Sequence, residues 1–265
     1  MDNLLHHLDI DNLKLLNSDY QHKALNALEN GKVLYLPSYA FSLQTKEKAL
    51  LLSDKILDGK HKNVSFDHHH QKIGGSRLDS ELSQLLTPFM KRYADFAKGL
   101  VEALIPQYQH ALEWGRTSYR PAEVKGRINS KRKDDSRVHV DSFPATPVNG
   151  RRILGVFSNV NPYNEPRTWH LGEPFAKVLK QFSTKIANYS PRRAKLLHLV
   201  KVTKTLRTPY DHYQLHLHDQ MKLSDSYQQS VNKQQIDFPA QSTWIVFTDQ
   251  VSHAYQFGEL HLSLK

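Results

Sequence analysis

The stretch STWIVFTDQVSHAYQF, residues 242–257, joins a short run from Thr243 to Phe247 to a polar turn and then to His253. Runs of β-branched and aromatic residues between turn residues are typical of strands. Short strands that do not alternate regularly with helices favour an antiparallel sandwich or jelly roll over a parallel sheet. Three more such runs follow Trp114 and are separated by Pro, Asn and Gly: TSYRP (117–121), RRILGVFSNVNP (151–162) and LLHLVKVTKTL (196–206).

The residues before Trp114 have mostly helical patterns. We expect a helix over 20–31 that ends at Gly31, followed by a short strand from Val33 to Leu36. A second helix is expected over 46–59. The third runs from Leu82 to Leu104, where apolar residues recur at intervals of three and four and would form one buried stripe.

Among the C-terminal strands, GEPFAKVLKQF (172–182) is expected as a single amphipathic helix. The sequence therefore predicts an α+β fold. A mainly helical N-terminal layer (1–115) would cover a double-stranded β-helix, or jelly-roll, core (116–265), and the two would form one structural domain.

Composition restricts the class of protein. The chain has 265 residues with 36 Lys and Arg against 26 Asp and Glu, a net charge of +10, which indicates an anionic partner. It contains no cysteine, so any metal must be held by His, Asp or Glu. No signal peptide and no apolar run long enough to span a bilayer is visible, so we expect a cytoplasmic protein, soluble or peripheral at the inner membrane.

The stretch RVHVDSFP (137–144) suggests a metal site. In an extended segment His139 and Asp141 point to the same side, and His253 could join them from a distant strand of the same barrel. Two histidines and one carboxylate with open positions opposite are the ligands of mononuclear non-haem iron. With 16 histidines in the chain, however, such spacing also arises by accident, and the three residues could have surface or capping roles.

Other histidine-rich stretches compete with this interpretation. His68, His69 and His70 in FDHHHQK are expected in a solvated loop. His216, His218 and Asp219 in LHLHDQ could form a metal pair but have no matching third ligand, and His6 and His7 belong to a terminus that is expected to fray.

Four blocks of the sequence resemble the bacterial Kdo hydroxylase family, whose members are Fe(II)- and 2-oxoglutarate-dependent dioxygenases acting on 3-deoxy-D-manno-octulosonic acid (Kdo) of lipopolysaccharide. The resemblance implies His139, Asp141 and His253 as metal ligands and catalytic residues, and a product hydroxylated at carbon 3 of Kdo. The four blocks are KRKDDSRVHVDSFPATPVNGRRILGVFSNVNP (131–162), EPRTWHLGEPF (165–175), TPYDHYQLHLHDQMK (208–222) and WIVFTDQVSHA (244–254).

The far carboxylate of 2-oxoglutarate needs a cation, because a buried unpaired charge is very costly. The resemblance implies an arginine where this chain has Gly155, so either Arg152 or another arginine substitutes, or co-substrate binding is weakened. If Arg152 faces the barrel interior, it shares that face with Leu154 and Val156, and Arg151 points outward. Both arginines could instead be solvated turn residues after Gly150. Lys265, twelve residues after His253, and two arginines before the first motif, Arg120 and Arg127, are the other candidates.

The positive charge has plausible partners in a Kdo-containing glycolipid and in the anionic inner leaflet. Two basic clusters could contact them: Arg132, Lys133 and Arg137, and Arg192, Arg193 and Lys195. The aromatic residues Trp169, Tyr210 and Tyr213 could line a sugar site or belong to the core.

Two alternative functions remain: a catalytically impaired family member that binds a lipopolysaccharide precursor, and a basic nucleic-acid-binding protein. The second lacks an interleaved aromatic and basic face or a reading helix, so no nucleic acid is expected.

Overall fold

The computed structural model describes residues 4–51, 56–77, 80–121, 130–257 and 261–264. Within them the chain forms two sheets and seven α-helices. The first sheet has eight strands in the order β1-β2-β9-β6-β11-β5-β3-β4, and the second has three in the order β10-β7-β8. The strands are β1 (Leu5–His7), β2 (Val33–Leu36), β3 (Val64–Asp67), β4 (Lys72–Gly74), β5 (Arg116–Arg120), β6 (Leu154–Asn159), β7 (Arg167–Leu171), β8 (Gln234–Phe238), β9 (Thr243–Phe247), β10 (His253–Phe257) and β11 (His261–Leu264).

The helices fall into an N-terminal and a C-terminal group. Their starts follow ordinary capping chemistry: the Asn17 side chain accepts hydrogen bonds from the first turn of α1, and Thr208 forms a capping box with Asp211 at α6. The helices are α1 (Ser18–Glu29), α2 (Thr45–Leu51), α3 (Ser80–Leu104), α4 (Phe175–Phe182), α5 (Pro191–Leu199), α6 (Pro209–Leu223) and α7 (Asp225–Ser230).

The strands of the large sheet pair antiparallel, except that β1 runs parallel to β2. Strands β1 to β4 come from the N-terminal 115 residues, so the N-terminal part contributes strands as well as helices. Because side chains alternate along a strand, each strand of this sheet presents one set of residues to the N-terminal helices and the other set to the opposite face.

One face of the large sheet packs against α1 and α3. Tyr93 of α3 donates a hydrogen bond from its hydroxyl to the carbonyl of Val156 in β6 at 3.0 Å. Tyr119 of β5 and Phe247 of β9 belong to the same buried cluster. This face of the sheet is therefore covered by the N-terminal helices.

The other face packs against the three-stranded sheet. Phe157 of β6 and Trp244 of β9 are buried against Trp169 of β7 and Phe238 of β8. Trp244 stacks on Phe238 with the ring centroids 4.1 Å apart. We call this the inward face; the site described below opens from it.

The predicted strands β2, β5, β6 and β9 are confirmed, as are the helices α1, α3 and α4. Two predictions are wrong. The helix expected over 46–59 does not reach its predicted end, since Leu57 forms an isolated bridge with Ser76; residues 52–55 lie outside the described residues. The run 196–206, expected as a strand, forms the end of α5 and a turn instead, because Ser190 caps the helix and Pro191 begins it.

Helix α4 is also not the single helix among the C-terminal strands, since α5, α6 and α7 follow it. Helices α4, α6 and α7 share a third buried cluster with Val138 and Val140, the residues next to the predicted metal ligands. None of the described helices has the length and apolar character needed to cross a membrane.

Candidate metal centre

The segment that contains His139 is held to the first residue of β10 by its backbone. The amide of His139 donates to the carbonyl of His253 at 2.9 Å, and the amide of His253 donates back to the carbonyl of His139 at 2.8 Å. The Asp141 amide donates to the carbonyl of Thr248 at 2.7 Å. Residues far apart in the sequence are therefore fixed side by side before any side chain takes part.

The side chains of this segment alternate as in a strand. Val138 and Val140 are buried among the C-terminal helices, whereas His139 and Asp141 project to the other side and meet His253. One ligand atom from each of these three residues lies within 4.8 Å of the other two, and all three residues are buried. The predicted convergence of His139, Asp141 and His253 is thus what the structure contains.

Backbone carbonyls determine which nitrogen of each histidine faces the group. Nδ1 of His139 lies 2.7 Å from the carbonyl of Arg137, and Nδ1 of His253 lies 2.8 Å from that of Val251. Since a carbonyl oxygen only accepts, Nδ1 carries the proton and Nε2 keeps its lone pair. Burial lowers the pKa of His139 below its ordinary value, although Asp141 opposes this shift, so the ring is neutral as a metal requires.

Two glutamines hold the ligand segments in place, and sequence reasoning missed both. Gln228 of α7 accepts from the Val138 amide at 2.8 Å and donates to the Val138 carbonyl at 2.9 Å. Gln214 of α6 donates to the carbonyl of Asp249 and lies 3.5 Å from that of Asp141. The C-terminal helices therefore fix the position of the ligands through backbone contacts.

Asp249 lies in the turn between β9 and His253. Its carboxylate accepts a hydrogen bond from the hydroxyl of Tyr210. Burial raises the pKa of Asp249 above its ordinary value, against the opposing effect of the Tyr210 hydrogen bond. Tyr210, considered above as a sugar-binding aromatic, thus supports the turn that leads to His253.

A partly buried cluster of charges lies beside the metal ligands. The carboxylate of Asp135 pairs with Lys62, with Arg120 at 3.4 Å and with Lys222 at 3.3 Å. Burial would raise the pKa of Asp135, but the three cations outweigh it and hold that pKa well below its usual range. Of the described residues, Asp135 is the acidic partner of all three cations, and it compensates one charge of three. His139 is close enough to influence Asp135 as well.

Arg120 is the predicted co-substrate residue that faces this cluster. It alternates with Tyr119, which belongs to the helix-covered face, so Arg120 lies on the inward face of β5. Its Nε is buried and has no hydrogen-bond partner among the described residues. Arg127 and Lys265, the other two candidates of this kind, lie outside the described residues.

Arg152 does not reach the inward face. Its guanidinium pairs with Glu29 of α1 at 2.8 Å, donates to Gln250 at 2.7 Å and lies 3.4 Å from the ring centre of Phe247. The inward orientation considered for Arg152 is therefore not found, because Leu154 and Val156 pack toward the N-terminal helices, although Arg152 also lines the cleft that contains His139 and Asp141. Arg151 is exposed as expected and pairs with Glu113.

Gly155 has no room for the arginine that the resemblance implied there. A Cβ at this position would lie 2.5 Å from the ring of Phe157, which folds over the glycine. Real Cβ atoms essentially never come so close, so a side chain at position 155 would displace a buried aromatic ring.

The competing histidines do not form a second group. Among the described residues, His139, Asp141 and His253 are the one set of three that could hold a metal. His68, His69 and His70 lie in the polar turn between β3 and β4, as predicted. The remaining candidates occupy secondary structure: His216, His218 and Asp219 lie on α6, and His6 and His7 lie in β1, not in a frayed terminus.

Two side chains considered above for other roles, His218 and Trp169, contact the metal ligands. The His218 ring meets the His139 ring edge to face at 5.5 Å, and Trp169 stacks on His253 at 5.1 Å. Trp169 is buried in the core, while Tyr213 is 41% exposed on α6. Trp169 is therefore a wall of the site and not a free sugar platform.

The two basic clusters differ in their surroundings. Arg132 pairs with Asp219 at 2.9 Å and Arg137 pairs with Asp225 at 2.6 Å, so both are neutralised within the fold. Lys133 is exposed. The cluster at the start of α5 is fully exposed and consists of Arg192, Arg193 and Lys195.

An open cleft gives access to the metal ligands. His139 and Asp141 line it together with Lys62 and Arg120. Lys204, from the turn after α5, lines the same cleft at its rim. The site can therefore admit a ligand from solvent to two of the three candidate metal ligands, His139 and Asp141.

Comparisons with known proteins agree with this geometry. The family model of 3-deoxy-D-manno-oct-2-ulosonic acid (Kdo) hydroxylase matches residues 12–264. None of the curated proteins matches the chain in sequence. Among solved structures, the Kdo hydroxylase KdoO, a non-heme Fe(II) alphaketoglutarate dependent dioxygenase, in complex with cobalt(II) is 41% identical; the match covers 99% of this chain and 88% of that chain with a TM-score of 0.92.

The same enzyme in complex with alphaketoglutarate and Fe(III) is 41% identical over 98% of this chain and 87% of that chain, with a TM-score of 0.91. Its complex with succinate and Fe(III) is 40% identical over 99% and 88%, with a TM-score of 0.92. The mixed α/β fold is thus that of KdoO, and the resemblance seen in the four sequence blocks is confirmed. The chain belongs to the Kdo hydroxylase family.

Proposed function

We propose that this protein is an Fe(II)- and 2-oxoglutarate-dependent dioxygenase that hydroxylates carbon 3 of Kdo in the lipopolysaccharide inner core or in Kdo-lipid A. The observation that carries the proposal is the buried group of His139, Asp141 and His253 in a chain of this family. Solved structures of the relative KdoO contain iron with alphaketoglutarate and iron with succinate.

Bound iron supplies the oxidative chemistry, in which dioxygen and 2-oxoglutarate yield succinate, carbon dioxide and one oxygen atom inserted into a substrate C–H bond. The chain supplies the rest. His139 and His253 present neutral nitrogens and Asp141 a carboxylate, so these three residues would hold the iron and would leave positions on it for the co-substrate and dioxygen. Trp169 and the buried segment around Val138 close the side of the site away from the cleft.

Arg120 is the anchor that we assign to the far carboxylate of 2-oxoglutarate. Three cations surround Asp135, and this leaves an excess of two positive charges beside the metal ligands in the described structure. Such an excess is costly when buried, and a dianion such as 2-oxoglutarate would offset it. The Nε of Arg120 has no hydrogen-bond partner among the described residues, and a guanidinium suits a carboxylate better than a lysine does.

Arg152 is a weaker candidate for this role. Its guanidinium is already occupied by Glu29, Gln250 and the ring of Phe247 on the helix-covered face. With Arg120 as the anchor, Gly155 need not supply one, and this supports the active enzyme over the catalytically impaired family member. Arg127 and Lys265 remain candidates by sequence.

The substrate of a Kdo hydroxylase suggests where the enzyme works. Kdo carries a carboxylate, and the lipid A to which it is attached carries phosphates and acyl chains, so a cytoplasmic enzyme peripheral at the inner membrane would meet it there. The two sheets packed across the aromatic cluster are consistent with a jelly-roll core covered by a layer of N-terminal helices, in one structural domain.

The direct test is to incubate the purified protein with Fe(II), 2-oxoglutarate, ascorbate and Kdo-lipid A. We expect the glycolipid to gain the mass of one oxygen, with succinate formed in equal amount. The Asp141→Ala variant, which keeps both histidines, is the matched control and should give neither product. Binding of Kdo-lipid A by the wild-type protein without any succinate would favour the impaired family member instead.

A further inference from the structure

The positive charge of the chain is concentrated in one part of the sequence. Residues 174–210 contain nine Lys and Arg and no Asp or Glu. Outside them the chain has 27 Lys and Arg against 26 Asp and Glu and is nearly neutral. The net charge of +10 is therefore a property of this segment and not of the surface as a whole.

The fold does not neutralise this charge. Within the described residues, Lys177 is the one cation of the segment that pairs with a carboxylate, that of Glu173. The exposed cations of α5 and the following turn have no carboxylate within 4.0 Å among the residues that the structure describes. These cations are Arg192, Arg193, Lys195, Lys201 and Lys204.

The same segment exposes apolar side chains. Leu199 is 77% exposed and Leu196 is 57% exposed, and half of the exposed large apolar residues in the described structure lie between positions 196 and 206. Scattered single residues of this kind are normal on a surface, but a contiguous group marks an interaction site. The other members of the group are Val200, Val202 and Leu206.

Local geometry brings three of these side chains to one face of the chain. Leu196, Leu199 and Val200 are three and four residues apart and share a face at the end of α5. The chain then reverses through Lys201, which has a positive φ of 59°. The amide of Lys201 donates to the carbonyl of His198, and that of Val202 donates to the carbonyl of Leu197, which is the usual helix-ending turn.

This surface adjoins the rim of the active-site cleft. The amide of Lys204 donates to the carbonyl of Ala145 at 2.9 Å, and the guanidinium of Arg207 donates to the carbonyl of Pro144 at 2.7 Å. Pro144 and Ala145 follow Asp141 closely in sequence. A partner bound at α5 would therefore lie next to the cleft entrance.

We propose that α5 and the turn after it, residues 191–206, dock the protein on an anionic phospholipid bilayer. Leu196, Leu199 and the apolar residues of the turn insert at the boundary of head groups and acyl chains, and the cations around them contact phosphates. Nucleic acids also attract cations, but single strands are bound mainly through stacking aromatic residues, and the exposed large apolar residues between positions 196 and 206 are all aliphatic, so a bilayer fits the surface better.

The orientation of the docked enzyme rests on the proposed function, since it is the glycolipid substrate that gives the adjoining cleft a reason to face the bilayer. The docking itself does not depend on it. Binding is therefore measured on the full chain without co-substrate or glycolipid, so that a failure of docking and a failure of hydroxylation are separate results.

The test is co-sedimentation with vesicles of phosphatidylcholine alone and of phosphatidylcholine mixed with phosphatidylglycerol. We expect binding to the anionic vesicles that weakens as salt is added. The double variant Leu196→Gln, Leu199→Gln should lower the partition coefficient about tenfold or more, since two exposed apolar side chains no longer enter the bilayer. The double variant Lys195→Glu, Lys201→Glu should lower it about 100-fold.

Matched controls come from another exposed part of the chain. Leu15 is 65% exposed and Lys14 is exposed beside it, so Leu15→Gln and Lys14→Glu remove the same chemistry elsewhere and should change binding less than about twofold. The proposal is overturned if the wild-type protein does not bind the anionic vesicles. It is also overturned if the double variant Leu196→Gln, Leu199→Gln binds them as tightly as the wild type does. Tighter binding to duplex DNA or RNA than to the vesicles at the same salt concentration overturns it in favour of a nucleic acid.

Discussion

Replacing Arg120 by glutamine tests the assignment of the co-substrate anchor. Glutamine keeps much of the length and polarity of the side chain but removes the charge and the second parallel donor. In the described structure Arg120 meets one carboxylate, that of Asp135 at 3.4 Å, and its buried Nε is unpartnered. The substitution should therefore weaken the site for an anion more than it weakens the fold.

The expected size of the effect follows from the strength of the hydrogen bond that the variant cannot form. A hydrogen bond to a charged group contributes about 1.5–3 kcal/mol, which corresponds to roughly a 10- to 100-fold rise in the dissociation constant of 2-oxoglutarate. Asp135 retains Lys62 and Lys222 in the variant. Metal affinity should stay unchanged, because His139, Asp141 and His253 are untouched.

Titration calorimetry of the cobalt(II)-loaded protein with 2-oxoglutarate measures this constant without turnover, and succinate release at varied 2-oxoglutarate gives the kinetic counterpart. Arg152→Gln is the matched control, and it should leave the constant within about twofold, since Arg152 lies on the helix-covered face against Glu29. A tenfold loss of affinity in Arg152→Gln together with an unchanged Arg120→Gln would refute the assignment.

Three further outcomes are expected. His139→Ala should abolish cobalt(II) binding by calorimetry while lowering the free energy of unfolding by no more than about 2 kcal/mol; loss of soluble protein would instead make the residue structural. Gln228→Ala leaves the buried amide and carbonyl of Val138 without their partner, and should destabilise the protein by about 2–4 kcal/mol in urea denaturation; an unchanged midpoint would contradict this. Asp249 has a folded-state pKa above the ordinary 3.8, so the folded state holds its proton longer than the unfolded state does, and wild-type stability falls as the pH rises from that value. Asp249→Asn lacks this contribution, so its stability relative to the wild type should increase as the pH rises above 3.8, and a constant difference would count against the raised pKa.

Much of the fold could be predicted because the pattern of apolar residues matches one kind of element. Helix α3 has a stripe at intervals of three and four, and β9 is a compact run of β-branched and aromatic residues. The helices α5 and α6 escaped prediction because Leu, Val, Tyr and His between turn residues also suit strands. The sequence features that could have predicted these two helices are their N-terminal caps, Ser190-Pro191 and Thr208-Pro209 with Asp211. Such caps outweigh the weak strand preference of the residues that follow.

The metal ligands could be predicted because their chemistry is specific and their spacing fits an extended segment. The face on which Arg152 lies could not. Strand β6 is buried almost throughout, so its residues show no alternation that would separate inward from outward positions. The roles of Gln214 and Gln228 could not be predicted either. Both side chains bind backbone atoms of distant residues, and no property of a glutamine in a sequence indicates such a partner.

The bridge between residues 139 and 253 has a consequence for how such a site can evolve. It consists of two backbone hydrogen bonds, and the supporting contacts of Gln228 also reach backbone atoms. The scaffold therefore holds its shape whatever side chains occupy the ligand positions. Single substitutions can exchange one ligand for another, or remove one to free a position on the metal, while the chain path survives, so new metal chemistries are reachable from this fold in small steps.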